Sequence, residues 1–375
     1  MPGPLQGLRV LEIASLAPAP FGCMLLADLG ADVVRVDRAE GAPAVSGPPG
    51  PLDRGRRSIA VDLKSAAGVA AVQRLAESAD VFVEGFRPGV AERLGIGPDA
   101  LLSLNPRLVY ARMTGWGQEG PLSAQPGHDI NYIALAGALE PLGRAGERPH
   151  APLNLLGDFA GGGAFMALGI LAALVERQSS GRGQVVDAAM VDGASTLMAF
   201  VHGMHAAGRW EGERGTNLLD GAAPFYDTYE TSDGGYMAVG AIEPQFHSAL
   251  LRGLGLPEES GNHLDPVGWA EQGDRFRRAF LTRTRAEWTE IFADLGACVT
   301  PVLSPWEAHG HPHHRARGSF IEVDGIVQPA PAPRFDRSRA ETPRAMDDGG
   351  RDPGATLASW DLSPAEVATL LDAVS

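Results

Sequence analysis

Short apolar runs alternate with amphipathic stretches through the first half of the chain, and this alternation constrains the fold more than any other feature. Strands are predicted at 8–13, 32–36, 58–61, 81–84 and 108–113. Helices are predicted between them: 21–29 closed by Gly30, a helix capped by Ser65 and running through Ala76, and a shorter one near 99–104. Strands joined through helices need crossover connections, which give a parallel sheet covered on both faces. The predicted class is therefore α/β. A further helix is expected from Asp158 to about Arg177, and one more strand at 184–188.

Beyond Arg214 the texture changes. Strands at 225–230 and 236–239 flank Ser232-Asp233-Gly234-Gly235, a hairpin signal, and amphipathic helices are expected at 245–251 and 275–295. These elements read as a smaller α+β domain. The Pro- and Ala-rich stretch 327–333 reads as an extended tether, and 337–352 as a charged, mobile segment. No internal repeat is evident.

Charge narrows the partners. Lys and Arg number 31 against 46 Asp and Glu, a net charge of −15. So acidic a surface does not suit nucleic acid or an anionic membrane, both of which need a basic face. A small substrate is expected. Cys23 and Cys298 supply neither a disulfide framework nor a thiolate metal site, which fits a cytoplasmic location. The N-terminus shows no signal peptide and the C-terminus no lipidation pattern. The longest apolar run, 159–175, falls short of a membrane span and reads as a helix buried in protein, so no membrane insertion is expected.

The turn after the first strand is Ala14-Ser15-Leu16-Ala17-Pro18-Ala19-Pro20 and not GxGxxG. Its prolines remove donors that a pyrophosphate would use, which argues against a dinucleotide dehydrogenase. No GxxxxGK[ST] loop occurs. The only lysine is Lys64, so Schiff-base chemistry has a single candidate and is set aside.

Basic residues cluster early: Arg35, Arg38, Arg54, Arg56, Arg57, Lys64, Arg87 and Arg93. In an acidic chain such a group can hold ligand phosphates, with ion pairs to Asp37, Asp53 and Glu84 as the alternative. In Gly127-His128-Asp129-Ile130-Asn131-Tyr132, a histidine at a helix mouth can exchange a proton while nearby N–H groups hold an oxyanion. Plain capping by Asp129 is the alternative. Gly157-Asp158 sets a carboxylate at another helix start, before Gly161-Gly162-Gly163, where capping again is the alternative. Glu243 stands in the apolar setting Ala241-Ile242-Glu243-Pro244, where a carboxylate needs a partner such as histidine. The tract His309, His311, His313 and His314 lacks a carboxylate frame, and no metal is expected there.

Taken together, several stretches resemble the class III coenzyme A transferase superfamily. They are Gly7-Leu8-Arg9-Val10-Leu11-Glu12, 26–36, Asp62-Leu63-Lys64, Glu84-Gly85-Phe86-Arg87-Pro88-Gly89, Arg112-Met113-Thr114-Gly115-Trp116-Gly117, 127–132 and Gly157-Asp158. His128 and Glu243 are similar to the α-methylacyl-CoA racemase branch, an isomerase activity on 2-methylacyl-CoA thioesters.

The resemblance implies a large Rossmann-like domain over 1–190, completed by 330–375. A linker helix region at 191–224, a small domain at 225–315 and a return linker at 316–335 would follow. It also implies an interlocked homodimer, with 198–201 facing the other subunit. For coenzyme A it implies a pocket of Arg38, Val61, Asp62, Leu63, Lys64, Gly85, Phe86, Arg87, Arg93, Gly127, Asp129, Ile130, Asn131 and Tyr132. By the same resemblance His128 and Asp158 are the bases on opposite faces of the α-carbon, and Glu243 of either subunit orients His128. A backbone N–H after His128 is the expected oxyanion donor, and no cofactor is required because coenzyme A is part of the substrate. Two alternatives stand beside this: a transferase with Asp158 as nucleophile, and a non-catalytic acyl-CoA-binding homologue.

Overall fold

The predicted alternation resolves into β1 (Arg9–Ile13), α1 (Pro18–Asp28), β2 (Asp32–Arg38), β3 (Arg56–Val61), α2 (Ala66–Ser78) and β4 (Val81–Glu84), followed by α3 (Val90–Arg93), α4 (Pro98–Leu104), β5 (Val109–Thr114) and α5 (Asp129–Leu135). A π-helical segment, Leu155–Ala164, runs directly into α6 (Phe165–Ser180), and β6 (Val185–Ala189) and α7 (Met190–Leu197) complete this part. The computed structural model describes residues 3–38, 50–258, 261–346, 353–360 and 362–368.

All of β1 to β6 run parallel in the order β3-β2-β1-β4-β5-β6. The pleat sends alternate residues to opposite faces. Val10, Val33, Val81 and Val109 pack on one side with Ala19, Cys23 and Leu26 of α1 and Met166 and Ile170 of α6. Leu11, Val34, Phe82 and Tyr110 pack on the other with Val72 and Leu75 of α2, and with Leu357 and Trp360 from near the C-terminus. Ser65 caps α2 as expected, its hydroxyl accepting the Gly68 N–H at 2.9 Å.

The chain divides into two compact units: Met1–Ala136, Leu153–Leu197 and His313–Ser375 form the first, and Gly137–Pro152 and Met198–Pro312 the second. The second holds α8 (Ala199–Ala206), the antiparallel pair β7 (Tyr226–Glu230) and β8 (Tyr236–Gly240), α9 (Pro244–Leu254), α10 (Trp269–Phe280), α11 (Arg285–Phe292) and β9 (Val299–Pro301). Phe225, Tyr229, Phe276, Phe280, Trp288 and Phe292 fill its core. The loop 137–152 joins this unit because Arg214 donates to the carbonyls of Glu140 and Glu147, and Arg144 pairs with Asp227 at 2.7 Å.

Three local expectations are corrected. The single helix read at 275–295 is α10 and α11, separated where Thr284 and Glu287 form a reciprocal capping box. The expected tether at 327–333 begins instead as a strand: β10 (Phe320–Val323) and β11 (Ile326–Pro329) form an antiparallel hairpin. The apolar run at 159–175 lies within a continuous 26-residue helix, Leu155–Ser180, which by length and composition alone could cross a membrane. Gly161, Met166, Ala167, Ile170 and Ala173 along it are buried within the protein. Of the segment expected to be mobile, 347–352 lies outside the described residues.

Candidate active site

In an open parallel sheet the crevice forms beyond the carboxyl ends of the strands, where the strand order reverses. Here that reversal falls between β1 and β4. The loops leaving these strands and their neighbours carry the residues expected to hold coenzyme A. Arg38 ends β2 and is exposed. Val61 is buried at the end of β3, and the chain turns tightly after it, with Asp62 Oδ1 accepting the Lys64 N–H at 2.9 Å. Leu63 packs into the core beneath, leaving Lys64 exposed. After β4, Phe86 packs into the same core while Gly85 and Arg87 remain exposed. Arg93 is exposed at the end of α3.

The early basic cluster therefore separates into two groups. Arg35 pairs with Asp37 and Asp53, Arg54 with Asp28, Arg56 with Glu12, and Arg57 with Asp32, so the ion-pair alternative accounts for these. Arg38, Lys64, Arg87 and Arg93 form no ion pair among the described residues, and their charges face solvent. Glu84 is not their partner. It is fully buried and bound to Arg112 at 2.9 Å.

The second part of the site lies beyond β5. His128 is the N-cap of α5 and is exposed. Its N–H donates to Asn131 Oδ1 at 3.1 Å, and its carbonyl accepts the N–H groups of Asn131 and Tyr132. The Asp129 and Ile130 N–H groups make no hydrogen bond among the described residues, so the first turn keeps donors for an oxyanion. Tyr132 is buried edge-on to Trp116, with ring centroids 4.7 Å apart. Gly127 has to be small, since a Cβ there would stand 2.7 Å from the Tyr132 ring.

Asp158 lies in the π-helical segment, half-buried. Helices of this kind are rare and tend to mark functional positions. Its backbone N–H donates to Asp129 Oδ1 at 2.6 Å, which binds the start of α5 directly to the segment bearing Asp158. Gly157 permits this approach, since a Cβ on it would stand 2.8 Å from Asp129 Cγ. Asn154 Nδ2 donates to Asp158 Oδ2 at 3.1 Å. Next in the chain, Phe159 packs on Phe21 of α1, with ring centroids 4.8 Å apart.

Burial pushes the Asp158 carboxyl pKa up from its ordinary value. The Asn154 hydrogen bond opposes that shift, Asp129 adds to it and His128 opposes it. Burial likewise raises the Tyr132 phenol, with Asp158 adding and Arg87 opposing. His128, Asp158, Tyr132 and Arg87 thus share one electrostatic neighbourhood, made by β4, α5 and the π-helical segment. It brings together an imidazole, a half-buried carboxyl whose pKa burial raises, free backbone donors and a cation.

Glu243 belongs to the second unit, where it is the N-cap of α9 and exposed. The apolar setting read from its neighbours is corrected: β8 and α9 bury Ala241 and His247 but turn Glu243 outward, so burial demands no partner for it. No group of three or more His, Cys, Asp and Glu side chains is placed to hold a metal among the described residues, the His309–His314 tract included. The sequence reading gave no role to Asn154 or Arg112. Asn154 lies four residues before Asp158, a spacing that places both on one helix face.

The family model for CoA-transferase family III matches residues 5–352. The mouse alpha-methylacyl-CoA racemase is 51% identical over 339 residues, covering 90% of this chain and 87% of the mouse protein. The human alpha-methylacyl-CoA racemase is 51% identical over 331 residues, covering 88% and 86%. Among solved structures, a CAIB/BAIF family protein from Brucella suis superposes with a TM-score of 0.83 at 26% identity, covering 96% of this chain and all of that one. The parallel sheet, its loops and these matches carry one conclusion: the chain belongs to CoA-transferase family III.

Proposed function

We propose that this protein is an α-methylacyl-CoA racemase, interconverting the (2R) and (2S) forms of 2-methylacyl-CoA thioesters through an enolate. Identity of 51% to named racemases along most of the chain supports the activity. The pairing of His128 with Asp158 through Asp129 is the observation that carries the mechanism. Inversion requires an acid/base on each face of the α-carbon. His128 takes the proton from one enantiomer while Asp158 returns one from the opposite face, and the roles exchange for the other enantiomer. Burial raises the Asp158 pKa, a direction that favours proton donation by this carboxyl. The Asp129 and Ile130 N–H groups stabilise the enolate oxygen. The reaction moves only protons, so it calls for neither metal nor organic cofactor.

Arg38, Lys64, Arg87 and Arg93 hold the coenzyme A phosphates in this reading, and the pantetheine arm follows the carboxyl ends of the strands toward His128. We also infer a homodimer. The α8 helix buries none of its residues, and Phe200 on it is 60% exposed, as is usual for a helix covered by a partner.

The direct test is incubation of a 2-methylacyl-CoA in heavy water without any acceptor acid. Deuterium should enter the α-carbon and the two enantiomers should equilibrate. A thioester recovered without label contradicts the racemase reading. For binding, Arg87→Ala should raise KM by about tenfold with little change in kcat, and the difference should shrink at high salt because it rests on charge. Steady-state kinetics at two ionic strengths check this.

A further inference from the structure

The segment 84–93 carries two of the exposed cations, Arg87 and Arg93, on a strand end, a loop and a single turn of helix. Phe86 and Ala91 seat this piece on the core beneath it, which leaves its polar ends to be fixed by other contacts. Its two ends converge on one buried side chain from the neighbouring strand. Arg112 is the register partner of Glu84 across β4 and β5, and it is 6% exposed. Its Nε donates to Glu84 Oε1 at 2.9 Å, and its Nη1 pairs with Glu92 Oε1 at 2.9 Å. The other Glu84 oxygen, Oε2, accepts the Phe86 N–H at 2.6 Å, which fixes the backbone immediately before Arg87. Glu92 immediately precedes Arg93.

We infer that Arg112 is a positioning residue for nucleotide recognition, a buried fork that clamps Glu84 and Glu92 and thereby fixes Arg87 and Arg93 against the phosphates of the coenzyme. The inference deepens the proposed function and rests on its assignment of those arginines. A planar guanidinium can grip two carboxylates at set angles where an ammonium cannot, so the role is specific to arginine. The clamp touches neither His128 nor Asp158. It therefore acts on binding of the nucleotide end and not on the proton transfers.

Replacing Arg112 outright leaves Glu84 buried without its cation, and such a variant can fail to fold for that reason alone. Glu92→Ala opens the clamp from its half-exposed end, since the Glu92 side chain is 44% exposed, and leaves the Glu84–Arg112 pair intact. The measurements are the Kd for free coenzyme A by calorimetry, and KM and kcat for a 2-methylacyl-CoA and for the same acyl group on pantetheine, which lacks the nucleotide and its phosphates. Glu92→Ala should raise the coenzyme A Kd and the acyl-CoA KM by roughly five- to tenfold, as a misplaced binding group does. On acyl-pantetheine, variant and parent should have matching constants. Equal losses on both substrates indicate general loosening and overturn the inference, as does an unchanged coenzyme A Kd in the variant. A parent chain that fails to bind coenzyme A overturns the underlying assignment, and the inference with it.

Discussion

His128→Ala and Asp158→Ala should each lower racemisation by about 10²- to 10⁴-fold, the range that a positioned proton donor or acceptor supplies. In both variants the Kd for free coenzyme A should stay within about threefold of the parent, since neither side chain is asked to hold phosphate. The proton on a thioester α-carbon is so weakly acidic that the site must both remove it and stabilise the oxygen charge that results. Removing either base leaves one face of the carbon without a proton donor, so product of inverted configuration cannot form at a useful rate. The loss falls on kcat because the interaction is made in the transition state. Chiral chromatography of the recovered thioester, with coenzyme A calorimetry alongside, checks both halves. Near-parental racemisation by either variant contradicts the two-base scheme.

The parallel sheet was legible because its strands are short, largely apolar runs separated by helix-length stretches, as expected of strands covered on both faces. Ser65 and Gly30 gave away helix ends by chemistry that operates within a few residues. The break between α10 and α11 was equally local: Thr284 and Glu287 at capping-box spacing were visible, but the amphipathic pattern on either side overrode them. Non-local features left no such trace. Nothing near Arg112 in the sequence announces Glu84 or Glu92, because register brings the first beside it and a helical turn brings the second. The basic cluster shows the same limit. Sequence grouped eight cations, while tertiary pairing removed Arg35, Arg54, Arg56 and Arg57 and left Arg38, Lys64, Arg87 and Arg93 open. Asp158 was found from its glycine-flanked helix start, yet the Asp129 contact that joins it to His128's helix depends on folding across 29 positions.

Asp158→Asn separates the racemase from a transferase that shares its fold. An amide serves neither as base nor as nucleophile, so full turnover should fall in both mechanisms and the overall rate decides nothing. The partial reactions differ. In the racemase, His128 still removes the α-proton from the enantiomer that presents it to that face. The imidazolium then exchanges its proton with solvent, and the carbon is reprotonated from the same side. Asp158→Asn should therefore exchange deuterium into one enantiomer at least about tenfold faster than into the other, with configuration retained and almost no inversion. His128→Ala should show the opposite bias. In a transferase the carboxylate itself attacks the thioester, forming an anhydride and then an enzyme-bound thioester, which hydroxylamine converts to a hydroxamate at Asp158. We expect no hydroxamate on the native protein in the presence of acyl-CoA, and enantiomer-biased exchange in the variant. Mass-spectrometric detection of a substrate-dependent hydroxamate at Asp158, with no solvent deuterium in the substrate, reverses the assignment in favour of transfer.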